Sequence, residues 1–157
     1  MHQSSVKLSR LMCANFTKFY NYPLTNNYMA GNEIDIPLSK EEEKQKIEFL
    51  KKRKFEDFKI HAYYNRESYI KHAVEIETIK EIYPKFDKII CVFKRPAKNG
   101  FKYSFIYELE ETRSLVLCFY LDEQPPKFFN AYFDYTKQDK KLRKKVEEWM
   151  KRQINRQ

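Results

Sequence analysis

The stretch KIICVFKRPAKNGFKYSFIYELEETRSLVLCFYLDEQPPKFFNAYFDY, residues 88–135, contains the pattern that decides the fold. Three breaks divide its apolar runs: Asn99-Gly100, the turn at 110–113 and Pro125-Pro126. Asn-Gly between apolar runs is the strongest short signal for a hairpin. Residues 101–109 mostly alternate aromatic with polar side chains, as a half-buried strand does. The stretch therefore predicts four consecutive antiparallel strands, the last of them after the prolines.

Helices are predicted before these strands. Ser39 and Glu42 have the spacing of a capping box, which predicts a helix over about 40–55. Apolar side chains at three- and four-residue spacing predict a second helix over residues 66–83, and Pro84 ends it. The strands thus follow two helices along the chain.

The predicted fold is α+β, with N-terminal helices packed on a four-stranded antiparallel meander and a basic C-terminal helix after Thr136. Residues 39–157 are predicted to form this single α+β domain. Residues 1–38, rich in Asn, Tyr and Ser, are predicted to be an N-terminal extension or a short helix plus a loop.

Composition excludes several classes of site. Two glycines in the whole chain argue against a loop that cradles phosphates, because a backbone without glycine cannot approach a pyrophosphate closely. Three cysteines without a CxxC pair favour neither a disulfide framework nor zinc. No apolar run has the roughly 18 residues of a membrane span, and no secretory signal is recognised. We therefore expect a cytoplasmic protein without metal or cofactor.

Positive charge is concentrated at the C-terminal end. The formal net charge is +9, and residues 136–157 hold nine Lys/Arg against three Asp/Glu. Such a segment attracts polyanions, namely nucleic acid or an anionic membrane surface. A solvated helix face has the same composition, so the charge alone leaves both interpretations open.

Two histidines near the second helix are candidates for proton transfer. His72 lies in the apolar stripe of that helix, and a histidine titrates in the range that RNA cleavage requires. The same position also fits a core histidine. His61 either pairs with His72 across a site or is a loop residue. Glu75, three residues after His72, either orients the imidazole, acts as the base itself or belongs to a solvated helix face.

The last strand offers polar side chains between aromatic ones. Strict alternation places Phe128, Asn130, Tyr132 and Asp134 on one face, which suits base stacking and hydrogen bonding to RNA. An ordinary solvent face is the alternative. The cations that could stabilise charge on a phosphate are Lys71, Lys94, Arg95 and Arg66.

With these residues, segment 61–135 resembles the barnase–EndoU–colicin–RelE-like superfamily of small ribonuclease toxins, which includes phage-encoded members. Its members share N-terminal helices on a four-stranded antiparallel sheet, a basic or histidine residue on a helix, and polar side chains on the final strand. His72 in Ile70-Lys71-His72-Ala73 takes the helix role, and Asn130 and Tyr132 take the final-strand role. Where such proteins often have Ser or Thr on that strand, this chain has Asn130.

The resemblance implies a metal-independent endoribonuclease that cleaves RNA by attack of the 2′-hydroxyl. In that mechanism His72 or Glu75 takes the 2′-hydroxyl proton, and His61 or Tyr132 protonates the leaving 5′-oxygen. Lys71 or Arg95 offsets the phosphate charge, and Lys94 and Asn130 join them as substrate-binding candidates.

Two further interpretations stay open from the sequence. In one, the chain is a non-catalytic module of a phage or mobile element, whose basic C-terminal helix binds nucleic acid or an acidic protein partner such as an antitoxin. In the other, the aromatic sheet face forms a homodimer.

Overall fold

The computed structural model describes residues 35–136 and 138–155, except for the side chains at 138, 139 and 142. Its strands are β1 Ile36–Pro37, β2 Lys59–Ile60, β3 Ile89–Ala97, β4 Gly100–Glu110, β5 Arg113–Tyr120 and β6 Lys127–Asp134. They form one sheet in the order β1-β3-β4-β5-β6-β2. All neighbours are antiparallel except β2 and β6, which are parallel.

The α+β class is confirmed, and the predicted sheet needs correction. β3 to β6 form the expected meander, but two short strands extend it to a mixed sheet of six. β1 lies within residues 1–38, so the end of the predicted extension belongs to the sheet. A two-residue strand has no readable alternation, and its pairing is decided by the strand that it meets. The helix and loop expected over residues 1–34 lie outside the described residues.

The helices are α1 Lys40–Lys51, α2 Tyr69–His72, α3 Ile76–Ile82 and α4 Gln138–Ile154, and a π-helical turn at Tyr64–Ser68 leads into α2. The Ser39 capping box starts α1 as predicted. In the described part of the chain, none of these helices combines the length and apolar composition that crossing a bilayer requires.

The predicted helix over 66–83 is wrong, because the chain breaks between α2 and α3. Ala73 adopts a left-handed conformation with φ of 51°, and its N–H donates to the Tyr69 carbonyl at 2.7 Å. Val74, which follows, is 1% exposed, and its carbonyl accepts a hydrogen bond from the Tyr64 hydroxyl. Burying Val74 in the core replaces one turn of helix, a tertiary effect that the apolar spacing does not reveal.

One face of the sheet, which we call the core face, packs against α1 and α3. Phe105, Phe119 and Phe128 are fully buried there. Phe119 lies at the centre, with its ring centroid 4.9 to 6.2 Å from those of four other aromatic residues. Leu50 and Ile79 close this layer from the helices. Large aromatic side chains are thus prominent in the layer that stabilises the fold.

The opposite face, which we call the α4 face, carries a second buried cluster. Its members are Ile90, Cys91, Phe93, Ile106, Val116 and Cys118. The Lys145 ammonium of α4 lies over the Phe93 ring, 4.3 Å from its centroid, and also pairs with Asp35 at 2.7 Å. Lys141 pairs with Asp134 at the end of β6. These contacts hold the basic C-terminal helix diagonally across this face.

Two neighbouring glutamates of α1 are expected to respond oppositely to pH. Glu43 accepts a hydrogen bond from the Val92 amide at 3.2 Å, and burial raises its pKa from 4.5 to about 7. Burial also acts on Glu42, but the hydrogen bond and charge of Lys94 outweigh it, and its pKa is lowered. A carboxyl whose pKa is raised on folding stabilises fully below its unfolded value, and that stability is lost as the pH rises through its folded value.

Glu43→Gln should therefore leave stability unchanged near pH 4.5 and increase it by about 1–3 kcal/mol at pH 8, because glutamine keeps the acceptor without the buried charge. Urea unfolding at the two pH values measures the difference. The matched control Glu42→Gln should instead destabilise at pH 8, because Lys94, 7% exposed, loses its anion. Equal unfolding free energies for the wild type and Glu43→Gln at pH 8 would contradict the expectation.

Candidate functional site

A β-bulge in β6 decides which side chains share the α4 face. Asn130 pairs with Cys118 and Phe128 pairs with Phe119, so two steps on β6 match one on β5. The bulge turns Phe128 into the core, where it is fully buried, and brings Phe129 to the α4 face. The predicted alternation is therefore wrong at Phe128 and Phe129. Beyond the bulge, Asn130, Tyr132 and Asp134 share a face as predicted.

Asn130 and Tyr132 both lie in a largely desolvated setting. Asn130 is 8% exposed, and its Oδ1 atom has no hydrogen-bond partner among the described residues. Burial raises the pKa of the Tyr132 phenol, and the nearby Cys118 and Asp35 raise it further against the lowering effect of Arg95. The phenol therefore stays protonated across the neutral range and is available as a donor. An orphaned buried acceptor beside it is uncommon in native structures.

His72 lies next to this phenol. Its ring is 5.5 Å from that of Tyr132, at the C-terminal end of α2, and it is half-buried. Burial, and then the charge of Lys71, lower the pKa of the imidazole below its usual 6.5. His72 is therefore neutral at pH 7, while Tyr132 beside it keeps its proton. Adjacent groups whose pKa values are pushed apart are the usual arrangement of an acid and a base.

His61 contacts the same strand near its other end. Its backbone N–H donates to the Phe128 carbonyl at 2.8 Å, and its Nδ1 accepts from the Tyr63 amide at 3.1 Å. Because Nδ1 accepts this hydrogen bond, Nε2 is the ring nitrogen that can donate one. The ring centroid of His61 is 5.2 Å from that of Phe129 and 5.8 Å from that of Tyr120. The two histidines thus contact β6 on either side of Asn130, His61 at Phe129 and His72 at Tyr132.

Glu75 is not a helical neighbour of His72, because the break at Ala73 separates them. It precedes α3 as an exposed N-cap residue, and its carboxylate accepts from the Tyr69 hydroxyl at 2.7 Å. Lys71 is exposed beside His72. Lys94 lies on the core face instead, where its ammonium pairs with Glu42 at 2.9 Å and the residue is 7% exposed. Neither Glu75 nor Lys94 joins the histidines.

Arg95 lies on the α4 face, but a carboxylate engages it. Its Nε atom donates to Asp35 at 3.0 Å, and Asp35 also accepts from Lys145. Burial acts to raise the pKa of Asp35, and the two cations outweigh it, so the pKa is lowered and the carboxylate stays charged. The Arg95 side chain is one-third exposed, so its guanidinium contacts both the Asp35 carboxylate and the solvent.

Sequence reasoning missed a cluster of rings around Phe129. Tyr63 stacks on Phe129 with ring centroids 4.6 Å apart and an interplanar angle of 7°. Tyr120 meets it edge-on at 5.0 Å, and the Lys102 ammonium lies 5.5 Å from its centroid. The sequence could have indicated Lys102, because the register of the Asn99-Gly100 hairpin places it opposite Arg95 on the α4 face. Nothing in the sequence indicates the bulge that turns Phe129 to that face.

No protein-family model, curated protein or solved structure matches this chain. Within the described ranges, no group of three His, Cys, Asp or Glu side chains is placed to hold a metal ion.

Proposed function

We propose that this protein is an endoribonuclease that cleaves single-stranded RNA by attack of the 2′-hydroxyl on the adjacent phosphate, on the α4 face of β6. The observation that carries the proposal is the contact between His72 and Tyr132, a neutral imidazole beside a phenol that keeps its proton. Such a pair suits a reaction that removes one proton and supplies another at neutral pH.

In the proposed reaction His72 accepts the proton of the 2′-hydroxyl as that oxygen forms a bond to phosphorus. The bond from phosphorus to the 5′-oxygen breaks, and that oxygen takes a proton from Tyr132 or from Nε2 of His61. The products are a 2′,3′-cyclic phosphate and a 5′-hydroxyl. Lys71, exposed beside His72, offsets the charge that develops on the phosphate oxygens. Arg95 assists if the RNA phosphate displaces Asp35.

Glu75 is the weaker candidate for the base. Its carboxylate is exposed and hydrogen-bonded to Tyr69, whereas His72 contacts the face that carries Asn130. We assign Asn130 to a hydrogen bond with the RNA sugar or base, which requires that its unpaired, buried oxygen becomes exposed when RNA binds.

The test is incubation of the purified protein, in molar excess, with mixed RNA in EDTA. The proposal predicts fragments with 2′,3′-cyclic phosphate ends, which end-specific labelling or mass spectrometry identifies. RNA in which every 2′-hydroxyl is methylated serves as the control and should stay intact, because it has no nucleophile. Intact unmodified RNA after long incubation would contradict catalysis.

A second candidate function is non-catalytic binding of nucleic acid through α4. Lys141 and Lys145 point to the sheet and are ion-paired, while Lys140, Lys144, Lys151 and Arg152 are exposed on the same helix. This candidate predicts binding that weakens steeply with salt and no turnover of RNA. Replacing the four exposed cations by glutamine should then abolish binding, whereas a nuclease that works at β6 should keep its cleavage products.

A further inference from the structure

The rings around Phe129 form a half-exposed platform, of which the proposed reaction uses only His61, as one of two candidate proton donors. We call Tyr63, Tyr120, Phe129 and His61 the Phe129 cluster; each is partly exposed to solvent. Phe129 makes a ring contact with each of the other three. Most aromatic side chains of the core cluster are buried, so four partly exposed rings that meet at Phe129 form a distinct surface.

Cations border the Phe129 cluster. The register of the sheet aligns Arg95, Lys102, Tyr120 and Lys127 in one row across β3 to β6 on the α4 face. Arg95 and Lys127 pair with Asp35 and Glu123. Among the described residues no carboxylate lies within ion-pair distance of Lys102, whose ammonium rests over the Phe129 ring. The row therefore offers a cation for a phosphate directly beside partly exposed aromatic rings.

The rings of the Phe129 cluster stay partly exposed although α4 packs on the same face. The contacts of α4 lie at Asp134, at the far end of β6, and at Phe93 on β3, three strands across the sheet from β6. Phe129 and Tyr132 are three residues apart on β6, or about 10 Å along the strand. The Phe129 cluster and the His72–Tyr132 pair are thus neighbouring parts of one surface.

We propose that the Phe129 cluster is a nucleobase subsite for single-stranded RNA, in which an unpaired base stacks on the exposed rings and Lys102 binds an adjoining phosphate. A stacked base needs a free π-face, which a duplex does not offer, and aromatic platforms beside cations are the usual means of holding single strands. Because the subsite adjoins His72, its role in positioning a substrate rests on the proposed function. Binding of RNA to the subsite can nevertheless be measured without cleavage.

The experiment uses a fluorescein-labelled, fully 2′-O-methylated oligouridylate, which the proposed reaction cannot cleave, and fluorescence anisotropy with the full chain. Phe129→Ala should raise Kd on the order of 10- to 100-fold, the range found when one stacked base is lost. Phe129→Leu, which keeps apolar bulk without a π-face, should weaken binding nearly as much. Phe101→Ala is the matched control, since Phe101 is a half-buried aromatic on the core face, and should leave Kd unchanged.

Lys102→Ala should separate the phosphate contact from stacking. It should reduce the slope of log K against log salt by about 0.7, whereas Phe129→Leu should lower affinity without changing that slope. Inorganic polyphosphate, which has no bases, should bind the wild type and Phe129→Leu equally. Each protein is first compared with the wild type by thermal melting.

Failure of this inference is distinct from failure of the proposed function. If Phe129→Leu and Tyr63→Ala both bind the oligouridylate as the wild type does, the subsite is refuted even when the wild type cleaves RNA. If the wild type binds and the variants do not, yet no RNA is ever cleaved, the subsite stands and the nuclease fails. A wild type that does not bind the oligouridylate at low salt would also overturn the subsite.

Discussion

His72→Ala is expected to lower the rate of RNA cleavage by about 10²- to 10⁴-fold, the usual contribution of a general base. The side chain is half-buried at the end of a four-residue helix, so its removal should change the unfolding free energy far less than the rate. Single-turnover cleavage of a labelled oligoribonucleotide measures the rate, and urea unfolding checks the fold. His72→Gln, which keeps hydrogen-bonding groups but cannot carry the proton, should be as slow as the alanine variant.

The dependence of the cleavage rate on pH should also reveal the titration of His72. A base acts in its neutral form, and burial lowers the pKa of His72 below 6.5. The wild-type rate should therefore rise with pH through an apparent pKa below 6.5 and then reach a plateau. That rising limb should be absent from the residual activity of His72→Gln. Undiminished cleavage by His72→Ala, or a rising limb unchanged in the glutamine variant, would remove His72 from the mechanism.

The descending limb should identify the proton donor. Burial raises the pKa of Tyr132, so a profile that stays flat through pH 9 indicates the phenol. Tyr132→Phe keeps the ring that packs on His72 and removes only the hydroxyl, and it should then slow cleavage strongly. If His61 is the donor instead, His61→Ala should slow cleavage strongly and Tyr132→Phe should leave the rate nearly unchanged. The two variants thus give opposite results for the two donors.

The meander was predictable because its signals are local. At Asn99-Gly100 the glycine has φ of 115°, a conformation that other residues rarely adopt, and a Cβ there would lie 2.7 Å from an Asp122 carboxylate oxygen. The Phe101 amide donates to that same carboxylate at 3.1 Å. A turn that requires glycine at one position can be recognised from the sequence. The four long strands were predicted from such turn signals and from the alternation of apolar and polar residues.

The site was less predictable because long-range contacts decide it. The break at Ala73 follows from the burial of Val74, and the broken helix removes Glu75 from His72. In the same way, pairing with Glu42, 52 residues earlier, holds Lys94 on the core face. Apolar spacing and charge carry no information on such partners. The sequence nevertheless placed Asn130 and Tyr132 on one face, because alternation holds beyond the bulge.

The bulge in β6 leads to the largest expected effect on stability. Strict alternation assigns Phe128 to the exposed face and Phe129 to the core, whereas the structure reverses the two assignments. Phe128 is fully buried, with ring centroids of Phe55, Tyr64 and Phe119 within 5.5 Å of its own. Phe128→Ala should therefore reduce the unfolding free energy by about 3–5 kcal/mol, through lost transfer free energy and the cavity that remains.

Phe129→Ala removes the same atoms one residue later and is the matched control. Its ring is half-exposed, so the loss should be limited to aromatic contacts and partial burial, about 1–2 kcal/mol. Urea unfolding of both variants measures the difference, and thermal melting should show a drop of about 6–20 °C for Phe128→Ala. Equal losses would place both rings in comparable surroundings, and a larger loss for Phe129→Ala would restore strict alternation. In that case Phe129 would lie in the core, and both the bulge and the proposed nucleobase subsite at the Phe129 cluster would be refuted.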